Sequence, residues 1–291
     1  RSVDKLEDAD KRRDVLGKVF ANRRITYGQV LLNGYLSHFN FNWLFVTGDQ
    51  ERHKAPGMGL LYWWELPFLL IGMYTLAASP YFSKRMKILI FSWFLVSPVA
   101  ASPTTELPHA IRTLVFLPTF QIFVGIGLLN FFEYMHGKNQ TLKKTILMVL
   151  PLFIVFNFIY YLNNYFVQMD LEYSKYWQYG YKEAVAYTQE NYEKYDRIVV
   201  SPKLEQPHIF FLFFLKYSPQ EYLENGGTYS GGFAEERNAF GKYEFRKFDL
   251  KNENLPGKIL YLGTPQEIPG AGHTINYLDG SPAIKFYEKQ N

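Results

Sequence analysis

Apolar positions are unevenly spread along this chain. Between Gly59 and Val167 they gather into long blocks, whereas the stretches on either side are polar and rich in Tyr, Asn, Lys and Glu. Four blocks, 59–79, 86–101, 107–132 and 145–167, predict membrane-spanning segments, since about 20 apolar residues at a helical rise cover a hydrocarbon core of about 30 Å. The first has Tyr62, Trp63 and Trp64 bunched at one end, where amphipathic rings favour the headgroup layer. The second is short and contains Pro98, which predicts a thin or tilted span, or one ending in a protein-covered break. Pro118 interrupts the third. Pro151 lies near the start of the fourth, which ends in the aromatic and amide-rich run of Tyr160, Tyr161, Asn163, Asn164 and Tyr165.

The loops between these blocks set an orientation. Lys84, Arg85 and Lys87 separate the first two blocks, and Lys138, Lys143 and Lys144 separate the last two, while the link around Thr104 has little positive charge. Positively charged loops stay in the cytoplasm, which predicts a multi-pass protein of the plasma membrane with 1–58 and 168–291 on the extracytoplasmic side.

In the first flank, Asp4 to Phe20 predicts a partly amphipathic surface helix whose charges form a solvated face. Ile25 to Trp43 predicts a helix that lies on the membrane or packs against the outer ends of the spans. After Val167 the pattern becomes that of a soluble domain. A helix is expected over Tyr176 to Tyr192, and a buried helix over Gln206 to Tyr217 around the run Ile209 to Leu215. Strands are expected at Arg197–Val200, Tyr243–Phe248, Lys258–Gly263 and Ala283–Tyr287. Gly226 to Gly232 reads as a flexible loop without the spacing of a phosphate-binding loop. The fold class is therefore an α-helical polytopic membrane domain, 59–167, preceded by outer-face loop and interfacial helices, 1–58, and followed by a small soluble α/β domain, 168–291.

Composition changes this picture little. Over 291 residues the hydrophobic share is 48% and the formal charge +4; the mean hydropathy of −0.16 averages over two solvents. No broad Lys/Arg tract argues for nucleic acid. The absence of Cys excludes disulfides, thiolate catalysis and cysteine metal sites. The chain begins Arg-Ser-Val-Asp-Lys, with neither a start methionine nor a signal core, and the topology needs a segment upstream to deliver this start to the outer face. The chain is expected to be the C-terminal part of a longer membrane protein whose N-terminal membrane region precedes it.

No zinc motif, serine–histidine–acid order or dinucleotide fingerprint is present, and the six histidines are dispersed. Position carries the chemistry instead. The polar, glycine-bounded loop Gly48 to Gly57 precedes the first span, and Glu106 to Arg112 opens the third on the same side. Arg52, His53, Lys54, His109 and Arg112 are thereby expected near one outer membrane surface, a cluster suited to the phosphate of an anionic lipid. The same residues would also serve ordinary phospholipid contact and structural ion pairs with Asp49, Glu51, Glu65 or Glu106. Arg112, at the start of an apolar block, points toward a site. Asp49 and Glu65 are orienting or structural groups, Glu65 as partner of a basic residue or as a helix-end acid. No catalytic residue and no metal ligand is assigned.

Several motifs are similar to those of a known family. Tyr35–Phe39 with Trp43–Phe45, Gly48-Asp49, Arg52-His53, Pro56–Gly59 and Leu61–Pro67 resemble the bacterial and archaeal membrane glycosyltransferases related to protein O-mannosyltransferases and to the lipid A aminoarabinose transferase. Pro108–Arg112 resembles another motif of that group, as do Ser201–Lys203 and Gln206–Phe213. The likeness covers much of 25–215. It implies an inverting transferase that takes a sugar from a polyprenyl-phosphate carrier at the outer face and passes it to a lipid, protein or glycan acceptor among the membrane lipids. The general base implied by the family is an Asp of a first outer loop, to which nothing here corresponds, and the fragment alone is expected to be inactive. The lipid-linked sugar is a substrate; no cofactor is established, and the resemblance leaves room for a divalent metal. The alternative is a membrane-anchored subunit that binds glycan or protein without catalysis; the aromatic and glycine-rich stretch 217–248 would suit carbohydrate contact, and its aromatics would equally serve to build the small domain's core. A transporter is the third reading, less favoured for want of a repeated pair of broken helices.

Overall fold

The computed structural model describes residues 2–20, 22–228, 238–270 and 272–290. The chain divides into two compact units, Arg1–Val167 and Gln168–Asn291. The first is helical: α1 (Ser2–Lys11), α2 (Val15–Phe20), α3 (Arg23–Ser37), α4 (Glu65–Ala78), α5 (Lys84–Val96), α6 (Leu117–His136) and α7 (Gln140–Asn163). Side chains mark three of the starts. Asn22, Ser83 and Asn139 accept the N–H of Arg24, Met86 and Thr141, each satisfying a donor the first helical turn leaves open.

The apolar blocks and the helices do not coincide throughout. Residues 59–64 are apolar yet not helical. They pack on a π-helical turn, Trp43–Thr47, where Leu61 N–H donates to the Leu44 carbonyl at 2.8 Å, and a Cβ on Gly59 would come within 2.4 Å of the Phe45 carbonyl carbon. The helix of the first block therefore starts only at Glu65. The second block is helical to Val96 and ends in turns. In the third, 107–110 is loop with a cis Leu107–Pro108 bond, a 3-10 turn covers Ile111–Phe116, and Pro118 sits in the first turn of α6. There the missing N–H costs nothing, so Pro118 starts the helix rather than interrupting it. The fourth block is one helix running through Pro151. Among the described residues two helices are long and apolar enough to cross a membrane, Ile111–His136 and Gln140–Trp177. With 14 residues, α4 spans about 21 Å, less than a hydrocarbon core.

The core of the first unit is aromatic. Phe94 lies 5.0–5.5 Å from the rings of Phe116, Phe120 and Phe123, with Phe68, Leu69 and Leu76 of α4 in the same cluster. No residue of α7 is buried, although most of its side chains are apolar. At the N-terminus the single expected surface helix is two, parted where Arg13 takes a positive φ of 53°.

The second unit is a mixed sheet with helices. Strands β1 (Arg197–Val200), β2 (Asn238–Phe240), β3 (Tyr243–Phe245), β4 (Lys258–Gly263), β5 (Thr274–Asn276) and β6 (Pro282–Gln290) lie in the order β2-β3-β1-β4-β6-β5. β1 runs parallel to both β3 and β4, and the remaining pairs are antiparallel. β1 and β4 coincide with expected strands; their continuous apolar runs are buried on both faces. The helices are α8 (Met169–Tyr173), α9 (Tyr181–Glu190), α10 (Pro207–Leu215) and α11 (Pro219–Glu224). The helix expected from Tyr176 begins only at Tyr181, after Gly180 at φ 98°. α10 is not buried throughout: His208 and Phe211 face the core, while Phe213 is 72% exposed. Tyr217, Phe240 and Tyr243 pack together in the core, so these aromatics of 217–248 build the domain rather than an outer surface. Tyr229 to Gly232 of the expected glycine-rich loop lie outside the described residues.

Candidate functional site

The 48–57 loop and the 106–112 loop meet at Asp49. Its side chain is almost fully buried, and its Oδ2 accepts the backbone N–H of Ala110 at 2.7 Å. His53 sits on a short 3-10 turn, Glu51–His53, and its Nδ1 donates to the same oxygen at 3.1 Å. His109 Nδ1 lies 4.0 Å from Asp49 Oδ2, and the His53 and His109 rings are 4.7 Å apart. One ligand atom from each of Asp49, His53 and His109 lies within 4.8 Å of the others, so the three residues could hold a metal ion.

A buried histidine supports this arrangement from below. His38 ends α3, where its Nδ1 donates to the Gly34 carbonyl at 2.8 Å, and its Nε2 accepts the N–H of His109 at 3.3 Å. That pairing requires the neutral ring. Burial lowers the pKa of His38 in the same sense. Burial also lowers that of His109, with the Arg112 guanidinium next in effect.

The other charged candidates are placed differently. Lys54 turns back to its own loop, its ammonium donating to the Thr47 carbonyl at 2.8 Å. Arg52 is exposed. The exposed Arg112 reaches over the 104–105 turn, where Nη1 donates to Thr104 Oγ1 at 2.9 Å and to the Thr105 carbonyl, while its backbone N–H faces His109 Nδ1 at 3.5 Å. Glu65 stands apart from the histidines. Buried at the start of α4, it accepts the N–H of Tyr62 at 2.7 Å and the Gln121 amide at 3.4 Å, the geometry of a helix-end acid.

Beside the cluster is an open cavity of about 240 Å³ with mainly apolar walls, including Leu44, Leu60, Leu114 and Phe120; His53 is on its lining. Two buried polar atoms of this region have no protein hydrogen-bond partner: Asp49 Oδ1 and the indole Nε1 of Trp43, a residue that also lines the cavity. Buried polar atoms are nearly always paired, so these two are open to a partner that the protein does not itself supply.

Sequence reading singled out both loops but gave no metal ligands, because the histidines come from separate loops with no ligand spacing between them. His38 entered only as part of a motif; its role depends on a backbone N–H that leaves no mark in the side-chain pattern. No family model, curated protein or solved structure matches the chain.

Proposed function

We propose that the chain belongs to an inverting glycosyltransferase that takes a sugar from a polyprenyl-phosphate carrier at the outer face of the plasma membrane and transfers it to a lipid, protein or glycan acceptor. The observation that carries the reading is the adjoining of two unlike surfaces: an apolar cavity, and a polar cluster built from both loops, with His53 belonging to each. A polyprenyl phosphate is itself an apolar chain ending in an anion, and a site for it needs this pairing. In this reading Arg112, whose exposed guanidinium reaches over the neighbouring 104–105 turn, would hold the phosphate and stabilise it as a leaving group. Arg52, His53, Lys54 and His109 are the further groups around that anion.

A membrane setting agrees with α7, whose apolar side chains, among them Met148, Leu152, Phe156 and Ile159, are exposed and call for a non-aqueous neighbour. In this reading all four apolar helices lie in the bilayer, α4 and α5 as short or tilted members packed on α6, with residues 168–291 on the extracytoplasmic side.

The test is transfer itself. The full-length protein, reconstituted with a polyprenyl-phosphate sugar and membrane acceptors, should transfer sugar, and Arg112→Ala should reduce the rate by at least about tenfold, the effect of losing one charge-assisted contact. Unchanged transfer in the variant removes Arg112 from the phosphate site. Binding of glycan without transfer would favour a non-catalytic membrane-anchored subunit.

A further inference from the structure

We infer that Asp49, His53 and His109 form a binding site for one divalent first-row transition ion of the zinc type, joining the 48–57 and 106–112 loops. The inference goes beyond the glycosyltransferase reading and does not depend on it.

Three observations meet at this point. The first is donor chemistry: two imidazoles and one carboxylate are a set that zinc accepts, whereas magnesium and calcium want shells of oxygen. The second is spacing. Ligands at about 2.1 Å from a tetrahedral ion lie about 3.4 Å from one another. The separations of Asp49 Oδ2 from His53 Nδ1 and from His109 Nδ1, 3.1 and 4.0 Å, bracket that value, so a modest side-chain adjustment, with the His53 ring proton carried on Nε2 instead of Nδ1, brings these atoms toward one ion. The third is the orphaned carboxylate oxygen. Asp49 is 6% exposed, and its Oδ1 has no protein partner. Leaving a carboxylate oxygen unpaired in such a place is costly, and an ion held by both oxygens of Asp49, or by Oδ1 in place of Oδ2, would pair it.

The groups around the ligands hold them in place. Ala110 N–H fixes Asp49 Oδ2, and His38 fixes the backbone of His109; such outer contacts orient ligands and raise metal affinity. Three protein ligands leave a fourth position free, the pattern of sites where zinc also meets a small molecule. Since His53 also lines the apolar cavity, that position is within reach of an oxygen donor bound there.

The experiment uses tag-free protein in detergent, stripped with a chelator and titrated with ZnCl2 by calorimetry. One equivalent should bind, magnesium should not compete, and both Asp49→Asn and His109→Gln should weaken binding by at least about tenfold. Co2+ added to the unaltered protein should give the visible absorption of a low-coordinate nitrogen–oxygen site. That reading needs no variant, so it stands even if a substitution impairs folding. Absence of a stoichiometric zinc site in the unaltered protein, or equal affinity in folded variants, overturns the inference. Zinc binding without sugar transfer would support the metal site while counting against the enzyme.

Discussion

Asp49 Oδ2 accepts the backbone N–H of Ala110 at 2.7 Å, closing a contact between residues 61 apart in the chain. A main-chain donor is indifferent to the identity of the residue that carries it. The bond therefore fixes where the 106–112 loop runs, and the positions of His109 and Arg112 follow from it. Because the same oxygen accepts from His53, one carboxylate sets the spacing of both histidines.

Replacing Asp49 should separate its two uses. Asp49→Ala leaves the Ala110 N–H and the His53 ring unpaired, and should cost about 1–3 kcal/mol. Asp49→Asn keeps an oxygen that can accept from Ala110 and should lose clearly less. Thermal unfolding in detergent without added metal checks the order; equal loss in both would show that the carboxylate charge, rather than the bond to Ala110, holds the loops.

Gly72 of α4 and Gly127 of α6 let the two helices touch backbone to backbone. A Cβ on Gly72 would lie 1.8 Å from the Phe123 carbonyl oxygen, and one on Gly127 would lie 1.8 Å from that of Phe68. Small residues at such crossings are a common way for apolar helices to associate. Gly72→Ala and Gly127→Ala should each destabilise the first unit by about 1–3 kcal/mol. The double variant should cost less than the sum, since the first methyl already parts the helices and relieves the second. Strict additivity in a double-mutant cycle would count against this shared crossing.

How far these features were legible in the sequence depends on what holds them. Strands β1 and β4 are buried on both faces and so carry runs such as Ile198-Val199-Val200 that nothing else explains. β2 and β5 escaped notice because three residues at or near a sheet edge, such as Asn238-Ala239-Phe240, carry no alternation to read. Hydropathy placed an apolar block at 59–64 but could not distinguish a helix from a loop packed on Leu44 and Phe45, since both bury the same side chains. At the site, charge and position drew attention to His53 and His109 and to Asp49 as an orienting or structural group, whereas the bond from the Ala110 N–H to the Asp49 oxygen that also accepts from His53 became visible only in the fold.

In the second unit, Arg246 grips Glu253 with two parallel bonds, Nη1 to Oε1 at 2.8 Å and Nη2 to Oε2 at 3.0 Å. The hydrogen bonds from Arg246 are the main cause holding the Glu253 carboxyl below its usual value of 4.5. The sign follows from linkage. Near and below 4.5 the unfolded chain binds a proton that the folded chain refuses, so the pair's stabilisation is full above that pH and fades as pH falls toward the folded value. Glu253→Gln should lower hydrogen-exchange protection in the adjoining strand β4 at about pH 6, and flatten its further decline toward about pH 3. Parallel declines in both proteins would assign the acid sensitivity to other groups.

Two glycines of α3 offer a comparison in which helix propensity and packing pull in opposite directions. At Gly28 an added Cβ meets nothing within 4 Å, whereas at Gly34 it would lie 2.5 Å from the Ser102 carbonyl oxygen and 2.6 Å from Leu107 Cδ1. In an open helical position alanine is preferred to glycine by about 1 kcal/mol, so Gly28→Ala should be neutral or stabilising. At Gly34 the same gain is outweighed, because the main chain of the 98–107 turn cannot move aside as a flexible side chain would. The consequence reaches the site, since the Gly34 carbonyl accepts from His38, which in turn accepts from the His109 N–H. Gly34→Ala should therefore lower the Tm and weaken zinc binding, while Gly28→Ala leaves both as they are or raises the Tm. If zinc affinity in Gly34→Ala equals that of the unaltered protein despite a lower Tm, α3 stabilises the unit without positioning the histidine loop.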